Sequence, residues 1–493
     1  MTVNSVLELL DIKSFLLFVS VFLLLTEILK NKNPPNFPPG PLPLPVLGNI
    51  FTGLDIKTVN KLAEKYGNIF SVRKSNEKIV FLSGYKMVKE ALVSQGENFV
   101  DRPDIPLFNK VFKGIGLILS NGYMWKKHRK FASTHFKSFA EGKKTIEFYI
   151  QQECNFLCQA IAEEQGGPFD PKFTINNAVS NVMFSLMFGR RYDYNNEHFK
   201  NILRWDTECF VLSGKRCSML YNEFPRLFEF LPGPHHTIHS NYKKIVKFLR
   251  EEIERHKKEW DPSDPRDFVD AYLGEMEKMK NDPEAGFNIE TLTICILDLF
   301  EAGTESAAIT LCWGLLFILK NPEVQKKVQA EIDRVVGQSR QPTMADKVNM
   351  PYCDAVIHEI QRKADILPLG VPRMATKDTT LGGYFIPKGT SITSNLSSVL
   401  NDKSEWETPD IFNPGHFLNS EGKFRRRDAF YPFSVGMRGC LGEMQARMEL
   451  FLFFTSLFQR FTFSSPPGVE PDLEGVLGFT HAPKPFKICV KAR

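Results

Sequence analysis

Nine cysteines, at positions 154, 158, 209, 217, 295, 312, 353, 440 and 489, include no pair in CxxC spacing, and their number is odd. Neither a disulfide framework nor a zinc finger is indicated, and a reducing compartment is expected. Charge of one sign is scarce as well. The 62 Lys+Arg and 57 Asp+Glu leave +5 over 493 residues, too diffuse to demand a nucleic-acid partner although it permits a local basic patch. No repeat of roughly 20–50 residues is visible, which excludes solenoids and propellers. Gly114-Ile-Gly116 lacks a third glycine, a preceding strand and a following helix start, so no dinucleotide fold is implied. With 43% hydrophobic and 24% charged residues, the chain is not the polar kind that stays disordered. What it has in excess is phenylalanine, 43 residues, enough for a large apolar interior or an apolar ligand cavity.

At about 150 residues per domain the length allows three ordinary domains or one large one. Residues 14–25 read SFLLFVSVFLLL, and with Ile12, Ile28 and Leu29 the apolar stretch reaches the roughly 18 residues that a spanning helix needs. A secretory signal would want a positive start and a small-residue cleavage site, whereas Glu8 and Asp11 outweigh Lys13, so an uncleaved anchor over 1–32 is expected. Lys30 and Lys32 after the span put the body of the protein on the cytosolic side. Residues 33–48 hold the run PPNFPPGPLPLP, which reads as a stiff extended hinge. From there to residue 493 no change of composition marks a boundary, and one large domain is preferred. Apolar residues at three-to-four spacing predict helices over 57–66, 86–95, 123–133, 142–164, 173–189, 240–258, 267–279, 289–319, 322–337, 351–364 and 442–459. Short β-like runs fall near 69–73, 78–83, 380–386 and 390–394. The expected class is mainly α with a small β region.

Residues 433–442, Phe-Ser-Val-Gly-Met-Arg-Gly-Cys-Leu-Gly, lead into the apolar EMQARMELFLFFTSLF, which reads as a buried helix. Three glycines around Cys440 let the backbone turn tightly, approach something flat and aim N–H groups at the sulfur. Cys440 is then an iron ligand or one more buried cysteine. Trp125 and Arg129 share a helix face at i, i+4, as Glu359 and Arg362 do at i, i+3. In the longest helical pattern stands Ala302-Gly303-Thr304-Glu305-Ser306, where Gly303 costs the helix about 1 kcal/mol relative to Ala and permits a local distortion that admits water. Thr304, about 200° from Ser306 around a helix, faces away from it. Basic clusters at Trp125–Lys130 and Lys423–Arg427 are solvated faces or a docking surface.

The ten-residue run resembles the haem-binding signature of the cytochrome P450 family, Phe-x-x-Gly-x-Arg-x-Cys-x-Gly, at every fixed position. The resemblance covers almost the whole chain, in the family's order: anchor and hinge, Trp-x-x-x-Arg at 125–129, the 302–306 motif, Glu-x-x-Arg at 359–362 and the cysteine loop. HEIQR, PLGVPRMAT and FNPGHFL are similar to the vertebrate microsomal family-two class, which oxidises fatty acids and xenobiotics. What this implies is a membrane-bound haem-thiolate monooxygenase with the P450 fold, acting on lipophilic substrates such as arachidonic acid or drugs.

By the same resemblance haem b is the cofactor and Cys440 its metal ligand. Arg102, Trp125, Arg129, Arg373 and Arg438 bind its propionates, since buried carboxylates need cationic or hydrogen-bonding partners. Glu305 and Ser306 match the catalytic acid–alcohol pair that relays protons, with serine where threonine is usual, and Gly303 leaves room for dioxygen. Glu359 and Arg362 form a structural ion pair completed by His416, where the family has arginine. The cavity is lined by Phe108, Phe112, Phe210, Ala302, Leu367 and Phe479. With no flavin module expected, electrons come from NADPH-cytochrome P450 reductase docked on Lys126, Lys127, Lys130 and Arg425 to Arg427. The resemblance admits cytochrome b5 as a second donor and places the protein on the endoplasmic reticulum membrane. A haem-thiolate isomerase or lyase acting on peroxides and a non-enzymatic haem protein are the alternatives. His235, His236 and His239 have metal spacing but fall in the family's membrane-proximal loop region. The Asn395 sequon has no use on a cytosolic body.

Overall fold

The computed structural model describes residues 12–30, 32–75, 77–141 and 146–493. Residues 1–11 and 31 of the expected anchor, and 142–145 of one expected helix, lie outside them. Two compact units emerge, one of Met1–Pro103 with Leu369–Ser398, the other of Asp104–Pro368 with Val399–Arg493.

In the smaller unit, strand Glu77–Leu82 pairs antiparallel with Ile69–Lys74 and parallel with Ser391–Ser394, which takes Arg373–Met374 antiparallel on its far side. Phe70 and Phe81 stack at 5.1 Å and join Val59, Val72 and Ile79 in an apolar cluster. The β-like run at 380–386 is a hairpin, Thr379–Leu381 against Tyr384–Ile386, turned at Gly382 and Gly383. The proline segment turns at Pro35–Asn36 and again at Pro45–Leu47, and between these turns Ser71 donates to Pro38 O at 2.8 Å through Oγ and to Pro39 O at 2.7 Å through N–H. In helix Ile12–Lys30, Phe15, Leu16, Leu17, Phe18 and Phe22 are exposed. Asn395 is completely buried, donating to Asn60 Oδ1 at 2.8 Å, so its sequon is closed to any glycosylating enzyme.

The larger unit is built round helix Ile289–Lys320, about 48 Å long at 1.5 Å per residue. Its Asn288 cap accepts from Thr291 N at 2.9 Å. It is apolar and long enough to cross a membrane, yet it is mostly buried, packed by Lys172–Phe188, Pro234–Lys258, Pro351–Ala364 and Glu443–Arg460. The helix is uninterrupted, so the expected distortion at Gly303 is not there. The glycine is explained by packing: a Cβ on Gly303 would run into Met183 Sδ. Helices Pro106–Phe112, Glu197–Ser213 and Arg216–Glu223 add to those the periodicity predicts.

Glu359 and Arg362 have no solvent exposure. Arg362 donates from Nε and Nη2 to the two Glu359 oxygens at 2.8 and 2.7 Å, and from its remaining N–H groups to Leu400 O, Pro409 O and Ile411 O. His416 Nε2 accepts from Thr408 N at 3.2 Å, so Nδ1 carries the proton and donates to Glu359 at 3.2 Å. The third partner is therefore a neutral imidazole in this geometry. Glu359→Gln leaves the Arg362 charge buried and uncompensated, and we expect a loss of about 3 kcal/mol or more in denaturant unfolding; a loss under about 1 kcal/mol would mean that the pair is solvated.

Candidate active site

In the larger unit the cysteine loop is folded back on itself: Cys440 N donates to Phe433 O and Gly439 N to Gly436 O, both at 2.9 Å. The Cys440 side chain is accessible, yet protein crowds around it and burial pushes its thiol pKa up. The N–H of Gly442 and the charge of Arg129 act against that shift and favour the thiolate. The Gly442 N–H thus points at the sulfur. Helix Glu443–Arg460 begins three residues on, with its positive dipole end toward the loop.

Three further expected residues gather beside this loop. Arg129 Nη2 donates to Gly439 O at 2.5 Å. Arg438 is buried; its Nη2 donates to Ser120 O at 2.6 Å and Asn121 Oδ1 at 3.1 Å, and its guanidinium carbon lies 3.8 Å from the centre of the Trp125 ring. Trp125 Nε1 is buried with no acceptor. An unsatisfied buried N–H costs on the order of 1–3 kcal/mol, and with two arginines beside it an anionic group fits. A haem, with carboxylates on its edge and an iron for the sulfur, suits this donor set. Arg102 and Arg373 lie in the smaller unit, both buried rather than solvated, with Arg102 Nη1 donating to Val371 O at 2.8 Å and Pro372 O at 2.7 Å.

On helix Ile289–Lys320, Ala302 is exposed although Phe300, Glu301 and Thr304 around it are buried, so this face opens onto free space. Ser306, on the same face, donates from Oγ to Ala302 O at 2.6 Å. Glu305 is buried and pairs with Lys172 at 3.4 Å; burial raises its pKa and Lys172 opposes the rise. Acid and alcohol are neighbours in sequence but not hydrogen-bonded to each other. Thr304 is buried, away from Ser306 as the helical angle requires. Phe108 and Phe112 both meet Tyr242, Phe108 also meets Phe479, and Phe479 meets Phe210, all in edge-on contacts of 5.5–6.4 Å.

Asp298 escaped the sequence reading. Its Oδ2 accepts from Leu117 N at 2.5 Å and Ile118 N at 3.1 Å, tying down the 114–120 loop, and a Cβ on Gly116 (φ +88°) would strike it. A lone acid inside TICILDLF was the available signal. Among the basic residues, Lys126, Lys130 and Arg426 are exposed. Of the six expected to face a reductase, Arg425 and Arg427 are bound to Glu407 at 2.9 and 2.8 Å and Lys127 faces Asp282 at 3.7 Å. The three histidines form no metal cluster among the described residues; His239 Nε2 bonds Leu107 O at 2.9 Å.

The family model of cytochrome P450 matches residues 38–490. Cytochrome P450 2J2 of Homo sapiens is 47% identical over 481 residues, 97% of this chain and 95% of its own. Cytochrome P450 2J1 of Oryctolagus cuniculus is 46% identical, covering 98% and 96%, and cytochrome P450 2H2 of Gallus gallus 44%, covering 92% of each. With this coverage the signature at Cys440, the helical body and the relatives agree, and the chain belongs to the cytochrome P450 family of haem-thiolate monooxygenases, which bind haem b, take electrons from a reductase and oxidise lipophilic molecules.

Proposed function

We propose that Cys440 would ligate the haem iron and that Trp125, Arg129 and Arg438 would hold the haem carboxylates, a reading carried by the accessible sulfur beside two arginines and the unsatisfied Trp125 Nε1. For Arg102 and Arg373 the same role rests on the family resemblance. When bound, the haem supplies oxygen activation and the insertion of one oxygen atom into an apolar substrate. The residues of the chain do the rest. Burial raises the Cys440 thiol pKa, the Gly442 N–H and Arg129 oppose that rise and favour the thiolate, and the loop fixes the sulfur's position. Glu305, raised by burial, holds a proton nearer neutral pH than an ordinary glutamate does. Ser306 can both accept and donate, and its bond to Ala302 O is the one it exchanges when it passes a proton on. The aromatic group around Tyr242 excludes water and binds apolar carbon, which fits polyunsaturated fatty acids such as arachidonic acid and lipophilic drugs.

Helix Ile12–Lys30, with its aromatic and aliphatic side chains exposed, serves as the anchor in the endoplasmic reticulum membrane, with residues 33–48 as hinge and 49–493 as the cytosolic catalytic body. The electron donor is NADPH-cytochrome P450 reductase, with cytochrome b5 as a second donor. Of the basic surface, Lys126, Lys130 and Arg426 are the cations with exposed heads to steer an acidic flavoprotein.

Replacing Cys440 by Ser should abolish the red-shifted absorption of the reduced carbon monoxide complex; a retained band would remove Cys440 as ligand. Reversing Lys126, Lys130 and Arg426 to Glu should slow electron transfer from the reductase and flatten its salt dependence while substrate affinity holds. An equal loss of substrate affinity would mean that the substitutions damage the body.

A further inference from the structure

The interior of the larger unit holds more acid than an acid–alcohol pair requires. Asp206, on helix Glu197–Ser213, is completely buried and neither carboxyl oxygen has a partner. Glu301, one turn before Glu305, is buried with Oε1 unpartnered, and its side chain engages Tyr242 from helix Pro234–Lys258. Glu305 Oε2 is also without a partner. Asp206 interacts electrostatically with both glutamates. The other titratable groups facing the cluster are Cys209 and Glu208 on the Asp206 helix, Asp298, Tyr242 and Lys172. Lys172 is the one cation found against these acids among the described residues, and it stands at Glu305.

One cation balances at most one carboxylate. An isolated ionised carboxylate in an apolar interior is so costly that the group neutralises by taking up a proton. Two of the three acids therefore have no means of carrying charge. We propose that Asp206 and Glu301 stand as neutral carboxylic acids at neutral pH and form a proton store behind Glu305. The inference rests on the reading of Glu305 and Ser306 as the relay. Asp206 gives its proton to the Glu305 carboxylate, its O–H breaking as that of Glu305 forms, and Glu305 passes the proton on; a hydronium ion from solvent then restores the proton on Asp206 and leaves as water, and no electrons move. The return of that proton is favoured because an ionised Asp206 is repelled by the Glu305 carboxylate. Asp206 and Glu301 touch no reacting atom and are positioning residues that act through Glu305.

The test uses the membrane-reconstituted holoenzyme with reductase. Infrared spectra of the resting ferric protein at neutral pH should show protonated-carboxyl stretching bands that shift in D2O. Asp206→Asn should remove one and Glu301→Gln another, while Glu449, pushed up to about 8 by burial elsewhere, contributes a band that neither removes. Asp206→Asn should also at least double the share of NADPH electrons ending in hydrogen peroxide and enlarge the solvent isotope effect on turnover. A merely structural carboxyl would move neither. Loss of no band in either variant overturns the inference, as does a lost band with peroxide share and isotope effect unchanged. If Asp206→Asn fails to give the reduced carbon monoxide band, and so has not folded, Glu301→Gln carries the same readouts. Ser306→Ala separates the two levels: an unchanged product-to-peroxide ratio there removes Ser306 from the relay, whereas the infrared bands report on the store alone.

Discussion

Arg362 has five N–H donors and all five are used inside the protein. Two meet Glu359, and the other three reach carbonyls of Leu400, Pro409 and Ile411, so a single buried guanidinium fixes the path of the chain between helices Pro351–Ala364 and Glu443–Arg460. Asn413 N and His416 Nδ1 fill the remaining capacity of Glu359 at 2.8 and 3.2 Å. A network with every member satisfied is rigid, and a partly satisfied one is costly. From this fixed segment the chain runs on to the cysteine loop, and the position of the sulfur inherits that rigidity.

The same cost of buried charge separates two environments within the larger unit. Around Cys440 the protein supplies cations and an unfilled N–H, through Arg129, Arg438 and Trp125, which suit the negative edge of a haem and a thiolate. Along helix Ile289–Lys320 it supplies acids, Asp298, Glu301 and Glu305, of which one faces a lysine. Burial pushes Asp298 up to about 7 while two backbone N–H groups pull it down. Anions are held where cations are plentiful and protons are held where cations are scarce, which is the division a reductive oxygen chemistry needs.

The cysteine loop and the long helices were legible because their signals are local. Five fixed positions sit in one run of ten residues, and the helices at 289–320 and 443–460 are apolar around most of their circumference. Helix Glu197–Ser213 was not legible, since Asp206 and Cys209 lie on its buried face and break the apolar period. Pro106–Phe112 is too short to show a period. Gly303 looked like room for a ligand, but its partner, Met183, stands 120 positions away in sequence and only the fold brings it there. The same holds for Glu407, which captures Arg425 and Arg427, and for Lys172, which pairs with Glu305. In each case the partner comes from another element.

The central claim is that an anionic cysteine sulfur, fixed by this loop, is bonded to the iron. X-ray absorption at the iron edge of the resting full-length protein tests it most directly, because the scattering of a sulfur neighbour differs from that of nitrogen or oxygen. One sulfur in the first coordination sphere, absent after Cys440→Ala, is the predicted result. A sphere of nitrogen and oxygen alone in the unaltered protein would contradict it.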